Sequence, residues 1–329
     1  DCPQRDERLG WTGDAHVFCR TAAINYDVKK FFRKWMRDVS AEQWEDGTIL
    51  GVIPQPQKRL TRVSAGWGDV ACVVPWEIYM AYGDKELLRE HFPMMRKWVE
   101  YMHNTGPEEY LWLTGMHYGD WLAMDSGGDG RKGLTSIDFI ASAFYANSVA
   151  LIRKAERALG YDTAKFDERY EKVVAPFRER YIPNGELRQY PDLNPNYHAV
   201  TNPPNETQTA YALVLKFGLC EEKDRQRFAD RLAEMIRENG MRMTTGFLGT
   251  PYLLHALTEN GHADVAYELL FQEQNPSWLF SVNHGATTIW EHWNGIKEDG
   301  SFWSKDMNSF NHYAYGAVYD WIFGKAVGI

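Results

Sequence analysis

Residues 69–104 read DVACVVPWEIYMAYGDKELLREHFPMMRKWVEYMHN and predict two helices joined by a tight turn. In the second helix, apolar residues recur at steps of four and three, so they lie on one face. They are Leu88, Phe92, Met95, Val99 and Met102. Between the helices, Gly83 can end the first and Asp84 can cap the second. This segment is therefore predicted to be a helical hairpin.

The same helical period continues through most of the chain, and strand-like alternation occurs only in short pieces such as 48–53 and 187–190. Helices are predicted at 14–25, 27–40, 69–83, 86–104, 135–159, 163–181, 207–219, 222–239, 250–260, 263–274 and 308–323. Hairpins begin near residues 14, 69, 135, 207, 250 and 308. Because this spacing has no fixed period, a solenoid is disfavoured. Eleven helices, with one more before Asp1, would form an all-α (α/α)6 barrel, a helical toroid, as one catalytic domain over 1–329.

Long loops rich in Trp, Gly, Asp and His separate the predicted hairpins. They lie at 43–68, 105–134, 182–206, 240–249 and 275–307. A helical toroid places such connections at one end of the barrel, where a pocket can form. Because functional residues concentrate on loops held by a rigid scaffold, the site is expected there.

Composition narrows the class of partner. The net charge of −9 argues against nucleic acid, which needs clustered Lys and Arg. No apolar run approaches the roughly 18 residues of a membrane span. The 13 Trp and 18 Tyr suit sugar rings, which have an apolar face and polar edges, although a large core would use the same bulky side chains.

The four cysteines, Cys2, Cys19, Cys72 and Cys220, show neither CxxC pairs nor even spacing. This pattern fits scattered reduced thiols better than a disulfide framework or a zinc site, and it favours the cytoplasm. The sequence begins at Asp1, without Met and inside a polar motif. We therefore expect a piece of a longer polypeptide, for which export stays open.

The opening segment, residues 1–14, is dense in charge around Trp11. Its charged residues are Asp1, Arg5, Asp6, Glu7, Arg8 and Asp14. Carboxylates beside guanidinium groups can fix several sugar hydroxyls, and like charges can raise the pKa of one carboxyl, as a general acid requires. The alternative is a salt-bridged loop in which Asp14 caps the following helix.

A second candidate cluster combines residues 287–295 with 309–313. Glu291 stands between Trp290 and Trp293, an apolar setting in which a carboxylate is costly unless it is used or paired. His312 could bind a substrate hydroxyl or orient Glu291. The alternative is a satisfied structural network.

Two further motifs, Gly66-Trp-Gly-Asp69 and Tyr118-Gly-Asp-Trp121, each place an aromatic residue beside Asp and Gly at a hairpin edge. Each could be a pocket wall, with Trp67 and Trp121 as the wall residues, or a capped and packed corner. The stretch 125–129 lacks the alternating oxygen ligands of a calcium loop and is interpreted as a turn. Motifs for phosphate, zinc-protease, serine-hydrolase and dinucleotide chemistry are missing.

Taken together, the run at 1–14, the Thr-Ile-Trp-Glu-His-Trp run at 288–293 and the Ser-Phe-Asn-His-Tyr run at 309–313 resemble the signature of bacterial α-L-rhamnosidases, glycoside hydrolase family 78. The resemblance spans essentially the whole chain. It implies an (α/α)6 barrel and an inverting mechanism without metal or organic cofactor. It also implies a rhamnose-containing glycoside as the substrate, with neither nucleic acid nor membrane as a partner.

The resemblance assigns roles residue by residue. Glu7 matches the general acid and Glu291 the general base. The residues that would hold the sugar are Asp1, Arg5, Asp14 and His312, with Trp11 as a pocket aromatic and Trp67 and Trp121 as looser matches for further walls. Family members carry β-sandwich domains on both sides of the barrel. Neither these domains nor the first barrel helix is found in this sequence.

Two alternatives stay open at this stage. The chain could be another (α/α)6 glycosidase, acting on glucosides or uronides, because one fold hosts several chemistries. Several carboxylates in one pocket weigh against a uronide. It could also be a non-catalytic carbohydrate-binding or scaffold protein, which would need no second carboxylate opposite the first.

Overall fold

The chain is described by a computed structural model over residues 8–56, 62–126, 131–193, 199–305 and 309–329. Over these residues the regular structure is helical. The helices are α1 Thr12–Asn25, α2 Lys29–Glu42, α3 Val70–Tyr82, α4 Lys85–Asn104, α5 Ile137–Leu159, α6 Ala164–Tyr181, α7 Gln208–Phe217, α8 Glu222–Glu238, α9 Thr250–Thr258, α10 Ala263–Leu270, α11 Trp278–Asn283 and α12 Val318–Trp321. Short 3₁₀ turns lie at Pro183–Gly185 and Ala314–Ala317, and a π-helical turn covers Ile322–Val327. None of the helices in these ranges has the length and apolar character needed to cross a membrane.

The predicted hairpin at 69–104 is confirmed. Gly83 ends α3 in the left-handed region with φ of 65°, where the lack of a Cβ removes the steric penalty. The Asp84 side chain then caps α4 by accepting the Leu87 N–H at 3.1 Å. The whole predicted apolar stripe of α4 is buried: Leu88, Phe92, Met95, Val99 and Met102.

The first helix of each predicted hairpin contributes to an inner ring. Helix α1 contacts α3, α3 contacts α5, α5 contacts α7 and α7 contacts α9. The C-terminal helical segment, residues 314–327, contacts both α9 and α1 and so closes the ring. Helices α2, α4, α6, α8 and α10 pack outside it. The (α/α)6 barrel predicted from the sequence is the architecture observed.

The end of the chain differs from the predicted helix at 308–323. Residues 309–312 instead pair with 289–291: the Glu291 N–H donates to Ser309 O at 2.9 Å and the His312 N–H to Ile289 O at 2.8 Å. These backbone groups form hydrogen bonds to a distant segment instead of within a helix, so helical structure begins only at residue 314.

The predicted loop 275–307 contains α11, which the sequence pattern missed. Ser277 caps this short helix by accepting the Phe280 N–H at 3.0 Å, and Trp278 and Phe280 are buried. The strand-like alternation at 48–53 corresponds to one isolated antiparallel bridge, between Trp11 and Val52.

Helix α1 is bonded to the C-terminal segment along its length. The Arg20 guanidinium donates to Asp320 at 2.7 Å and to Glu77 of α3 at 3.0 Å. Thr21 donates its hydroxyl hydrogen to Ala317 O at 3.4 Å. His255 of α9 lies 3.1 Å from the other oxygen of Asp320, so polar side chains of α1, α3, α9 and α12 form one connected network.

Asp69 and Asp120, the acidic residues of the two hairpin-edge motifs, are buried structural corners. Asp69 accepts hydrogen bonds from the Gly66 N–H at 2.8 Å, from the Trp98 indole at 3.1 Å and from the Ser148 hydroxyl at 2.6 Å. It thus fixes the turn that precedes α3. For this aspartate, the packed-corner interpretation is confirmed.

Asp120 holds a loop that lies more than a hundred residues away in sequence. Its carboxylate accepts the N–H groups of Gly246, Leu248 and Gly249 at 2.8, 2.7 and 3.0 Å, and the Thr209 hydroxyl at 2.5 Å. Burial raises the pKa of Asp120, while the four donated hydrogen bonds oppose this rise because they favour the ionised form. The carboxylate therefore fixes residues 246–249 against residues 117–123.

We predict that Asp120→Asn lowers the free energy of unfolding by about 3 kcal/mol or more, because an amide has one acceptor oxygen and turns its NH₂ group toward other donors. Asp125→Asn is the matched control in the same loop. Burial raises the pKa of Asp125 to about 7, and its Oδ1 accepts the Leu134 N–H at 2.8 Å, a bond that an asparagine can keep. Urea unfolding of both variants at pH 7 makes the comparison. Equal losses in the two variants would contradict the special role of Asp120.

Candidate active site

The described site residues come from both ends of the chain and from the loops between them. Asp1, Arg5 and Glu7 lie outside the described residues, so their predicted roles stay predictions. The structure describes the remaining candidates, which are Trp11, Asp14, Trp67, Trp121, Glu291 and His312.

Asp14 and His312 form a buried pair that joins the two ends of the chain. The His312 Nε2 lies 2.8 Å from Asp14 Oδ1, and both side chains are at most 5% exposed. His312 Nδ1 accepts the Ala314 N–H at 3.3 Å, which assigns the ring proton to Nε2, facing the carboxylate. Asp14 lies inside the first turn of α1, and the helix cap is Trp11, which makes no side-chain capping bond. The alternative of Asp14 as a helix cap is therefore wrong.

Glu291 is buried on a segment whose backbone pairs with the one that carries His312. Its side chain is carried on the segment that pairs with residues 309–312, and only 2% of the residue is exposed. Trp293 stacks on Tyr315 at 4.0 Å and donates its indole N–H to Thr245 O at 3.2 Å. Burial, followed by the negative charges of Asp120 and Glu291, raises the pKa of Tyr315. Glu291 is thus a buried acidic side chain that acts electrostatically on Tyr315, on which its neighbour Trp293 stacks.

An aromatic wall lies beside the start of α1. The rings of Trp11, Trp67 and Trp121 all contact Tyr118, with centroid distances of 5.9, 4.7 and 5.9 Å. The Trp11 and Trp121 pairs are edge-to-face, an arrangement that contributes about 0.5–1.5 kcal/mol each beyond the area it buries. Trp67 is buried, while the other three rings are half-buried. The wall therefore keeps part of its aromatic surface accessible.

Gly13 lets the wall approach α1 closely. A Cβ at residue 13 would lie 2.5 Å from the Trp67 indole, closer than side-chain atoms can come. The glycine in the opening motif is therefore required by packing, and it explains why Trp67 can lie against the turn that carries Asp14.

Residues 245–249 connect the aromatic wall to the Glu291 side of the site. The Phe247 N–H donates to Trp121 O at 2.9 Å. The Phe247 ring then packs against His312 at 5.3 Å and against Tyr315 at 5.2 Å. Since Asp120 fixes this same loop, one buried carboxylate sets the position of both halves of the site.

His117 fixes the loop that carries the wall. Its Nδ1 accepts the Ala65 N–H at 2.8 Å and its Nε2 lies 2.8 Å from Thr114 O, which together require one neutral tautomer. Burial lowers the pKa of His117 to about 4, so the ring is neutral at neutral pH. The turn at 64–68 and the loop at 117–121 are thereby held together.

Three contributors to the site were not singled out from the sequence: Tyr118, Phe247 and Tyr315. Tyr118 belongs to a motif that was recognised for Trp121, and its central position depends on contacts with residues far away in the chain. Of the three, only Tyr118 had a local sequence signal, because it is a second aromatic residue three positions before Trp121. Gly119, which lies between them, has a φ of 68°.

Comparison with known proteins identifies relatives over the whole chain. The family model described as the bacterial α-L-rhamnosidase 6 hairpin glycosidase domain matches residues 1–326. An α-L-rhamnosidase of Formosa agariphila is 40% identical over 331 residues, which cover 100% of this chain and 34% of that protein. One of Streptomyces avermitilis is 38% identical and covers 100% of this chain and 30% of that protein. The chain spans about a third of the length of the curated relatives it matches.

Solved structures agree with this fold. The Streptomyces avermitilis α-L-rhamnosidase complexed with L-rhamnose has a TM-score of 0.88 at 38% identity, over 99% of this chain and 29% of that one. The native α-L-rhamnosidase from Aspergillus terreus has a TM-score of 0.86 at 34% identity, over 98% of this chain and 36% of that one. The similarity covers the helices and the loops that carry the candidate site.

Proposed function

The chain belongs to the family of bacterial α-L-rhamnosidase six-hairpin glycosidase domains, and we propose that it acts as an α-L-rhamnosidase. The observation that supports this most strongly is the meeting of both motif-bearing ends of the chain. Asp14 and His312 pair at 2.8 Å, and residues 309–312 pair through their backbone with the segment that carries the buried Glu291. A relative of the same fold at 38% identity was solved with L-rhamnose bound.

We propose inversion by general acid and general base catalysis. Glu7, protonated, gives its proton to the glycosidic oxygen as the bond from that oxygen to C1 breaks. Glu291, ionised, takes a proton from a water molecule whose oxygen attacks C1 from the opposite face. The products are the free alcohol and rhamnose with inverted configuration at C1. Two carboxyl groups separated by room for this water are the arrangement of inverting glycosidases.

The remaining groups are proposed to hold a neutral sugar. Asp1, Arg5 and the Asp14–His312 pair offer acceptors and donors for hydroxyl groups, with charged partners that strengthen each hydrogen bond. The aromatic wall of Trp11, Trp67 and Trp121 offers an apolar surface for the C6 methyl group of rhamnose. Several carboxylates in one pocket would repel a uronic acid. This chemistry needs no metal or organic cofactor.

We predict that Glu7→Gln and Glu291→Gln each lower turnover about a hundred- to ten-thousandfold, the usual contribution of one acid or base group. The buried Glu156 on α5 is a matched control, and Glu156→Gln should keep near wild-type turnover. Rates are compared on an alkyl rhamnoside and on 4-nitrophenyl α-L-rhamnoside. The nitrophenyl group leaves with little protonation, so it should partly restore the Glu7 variant but not the Glu291 variant. Near wild-type turnover of the alkyl rhamnoside by either variant would remove that glutamate from the mechanism.

We also predict a preference for α-L-rhamnosides over α-L-mannosides of about ten- to a hundredfold in kcat/KM. A hydroxymethyl group would bury a hydroxyl against the aromatic wall, at a cost on the order of 1–3 kcal/mol. β-Glucosides and uronides should hardly be cleaved. The measurement is kcat/KM on four nitrophenyl glycosides, with the doubly substituted Glu7→Gln, Glu291→Gln protein as the blank. If a glucoside or a uronide were the best substrate, the rhamnosidase assignment would be wrong even with both glutamates catalytic.

A further inference from the structure

We propose that Tyr118 is a positioning residue that sets the spacing of the three indoles of the aromatic wall and thereby the affinity for the sugar. This inference rests on the proposed function, because it assumes that the wall binds the substrate. Tyr118 lies outside the three runs, 1–14, 288–293 and 309–313, that carry the family resemblance.

The ring contacts place Tyr118 at the centre of the wall. Its ring meets Trp11 at an interplanar angle of 81° and Trp121 at 74°, both edge-to-face, and Trp67 at 52°. The three indoles come from the start of α1, the turn before α3 and the loop before α5. Tyr118 is therefore the ring shared by three separate segments, and its position fixes the distance between them.

The backbone of Tyr118 is itself held in place. Its N–H donates to the Ser64 hydroxyl oxygen at 3.1 Å. The carbonyl oxygen of the same serine accepts the Trp67 N–H at 3.1 Å, and Ser64 is fully buried. Next to it, His117 accepts the Ala65 N–H at 2.8 Å. The Tyr118 ring thus projects from a backbone that is bonded directly to the turn carrying Trp67.

The loop on the other side of Tyr118 is equally constrained. Gly119 has a φ of 68°, and Leu122 has a φ of 61°, a left-handed conformation that a leucine rarely adopts. Asp120 between them is fixed by its four hydrogen bonds. Because the backbone cannot move to fill a gap, loss of the Tyr118 ring would leave the indoles free to change rotamer.

An effect on the wall should appear mainly in KM. The accessible part of the wall would contact the sugar ring before and during bond cleavage, so its contribution to binding is similar in both states. The proton transfers belong to Glu7 and Glu291, which Tyr118 does not replace. Misplaced indoles should therefore weaken binding while leaving turnover of bound substrate nearly unchanged.

The test compares Tyr118→Leu, which keeps apolar volume without a flat ring, with Tyr118→Phe, which keeps the ring. Tyr110→Leu is the matched control: this tyrosine lies in the same long loop, is half-buried, and packs against His103 at 5.4 Å. The measurements are kcat and KM on 4-nitrophenyl α-L-rhamnoside, calorimetric binding of L-rhamnose, and Tm.

We expect Tyr118→Leu to raise KM and the Kd of L-rhamnose about tenfold, with kcat within about threefold of wild type. Tyr118→Phe and Tyr110→Leu should keep wild-type KM and Kd. Should Tyr118→Leu fail to fold, Tyr118→Met, which also keeps apolar volume without a flat ring, replaces it with the same expectation.

The proposal is overturned if Tyr118→Leu lowers Tm alone, if kcat falls while KM is unchanged, or if Tyr118→Phe is as impaired as Tyr118→Leu. A wild-type protein that neither cleaves the rhamnoside nor binds L-rhamnose would refute the proposed function itself. In that case the inference about Tyr118 fails because its premise fails. This outcome differs from that of an active wild-type enzyme whose KM does not change when Tyr118 is replaced.

Discussion

The contact between α1 and the C-terminal part of the chain, residues 309–327, is the interaction on which the rest of the structure depends. Near the start of α1, Asp14 pairs with His312 at 2.8 Å. Roughly two turns further on, Arg20 pairs with Asp320 at 2.7 Å. These bonds close the ring of inner helices, because they join the first described helix to the last. The Asp14–His312 pair also joins the start of α1 to residues 309–312, which pair through their backbone with the segment that carries Glu291.

Buried carboxylates hold the loops that connect the helices of this ring in place. Taking a charged group out of water is costly, and the cost is offset only when hydrogen bonds replace the lost hydration. Asp69 and Asp120 meet that condition with backbone N–H groups, an indole and hydroxyls. The loops that they fix carry Trp67 and Trp121. Residues 245–249, which Asp120 also holds in place, pack against His312. Loops held in place in this way reduce the ordering that binding a sugar would require.

The helices were predictable because their apolar stripes are local, as at Leu88 to Met102 in α4. The sequence could not predict that the last helical segment begins after residue 312. Residues 309–312 are held out of the helix by backbone hydrogen bonds to residues some twenty positions earlier. Glu291 and His312 were predicted through a resemblance that spans the chain. The central position of Tyr118 could not be predicted, since it depends on rings from three distant segments. From the sequence, the motif that contains Asp120 could be a pocket wall or a packed corner. The N–H groups of residues 246–249, which are distant in the sequence, show that Asp120 forms a corner.

Our central proposal is that Glu7 and Glu291 face each other across one pocket. A crystal structure of the protein with L-rhamnose tests this most directly, because it shows both carboxyl groups relative to C1 of the sugar. The account predicts that they lie on opposite faces of the sugar ring, roughly 6.5–9.5 Å apart, with the Asp14–His312 pair against its hydroxyls. A separation of about 5–5.5 Å, as in retaining enzymes, would contradict the mechanism. Carboxyl groups at opposite ends of the barrel would contradict the claim altogether.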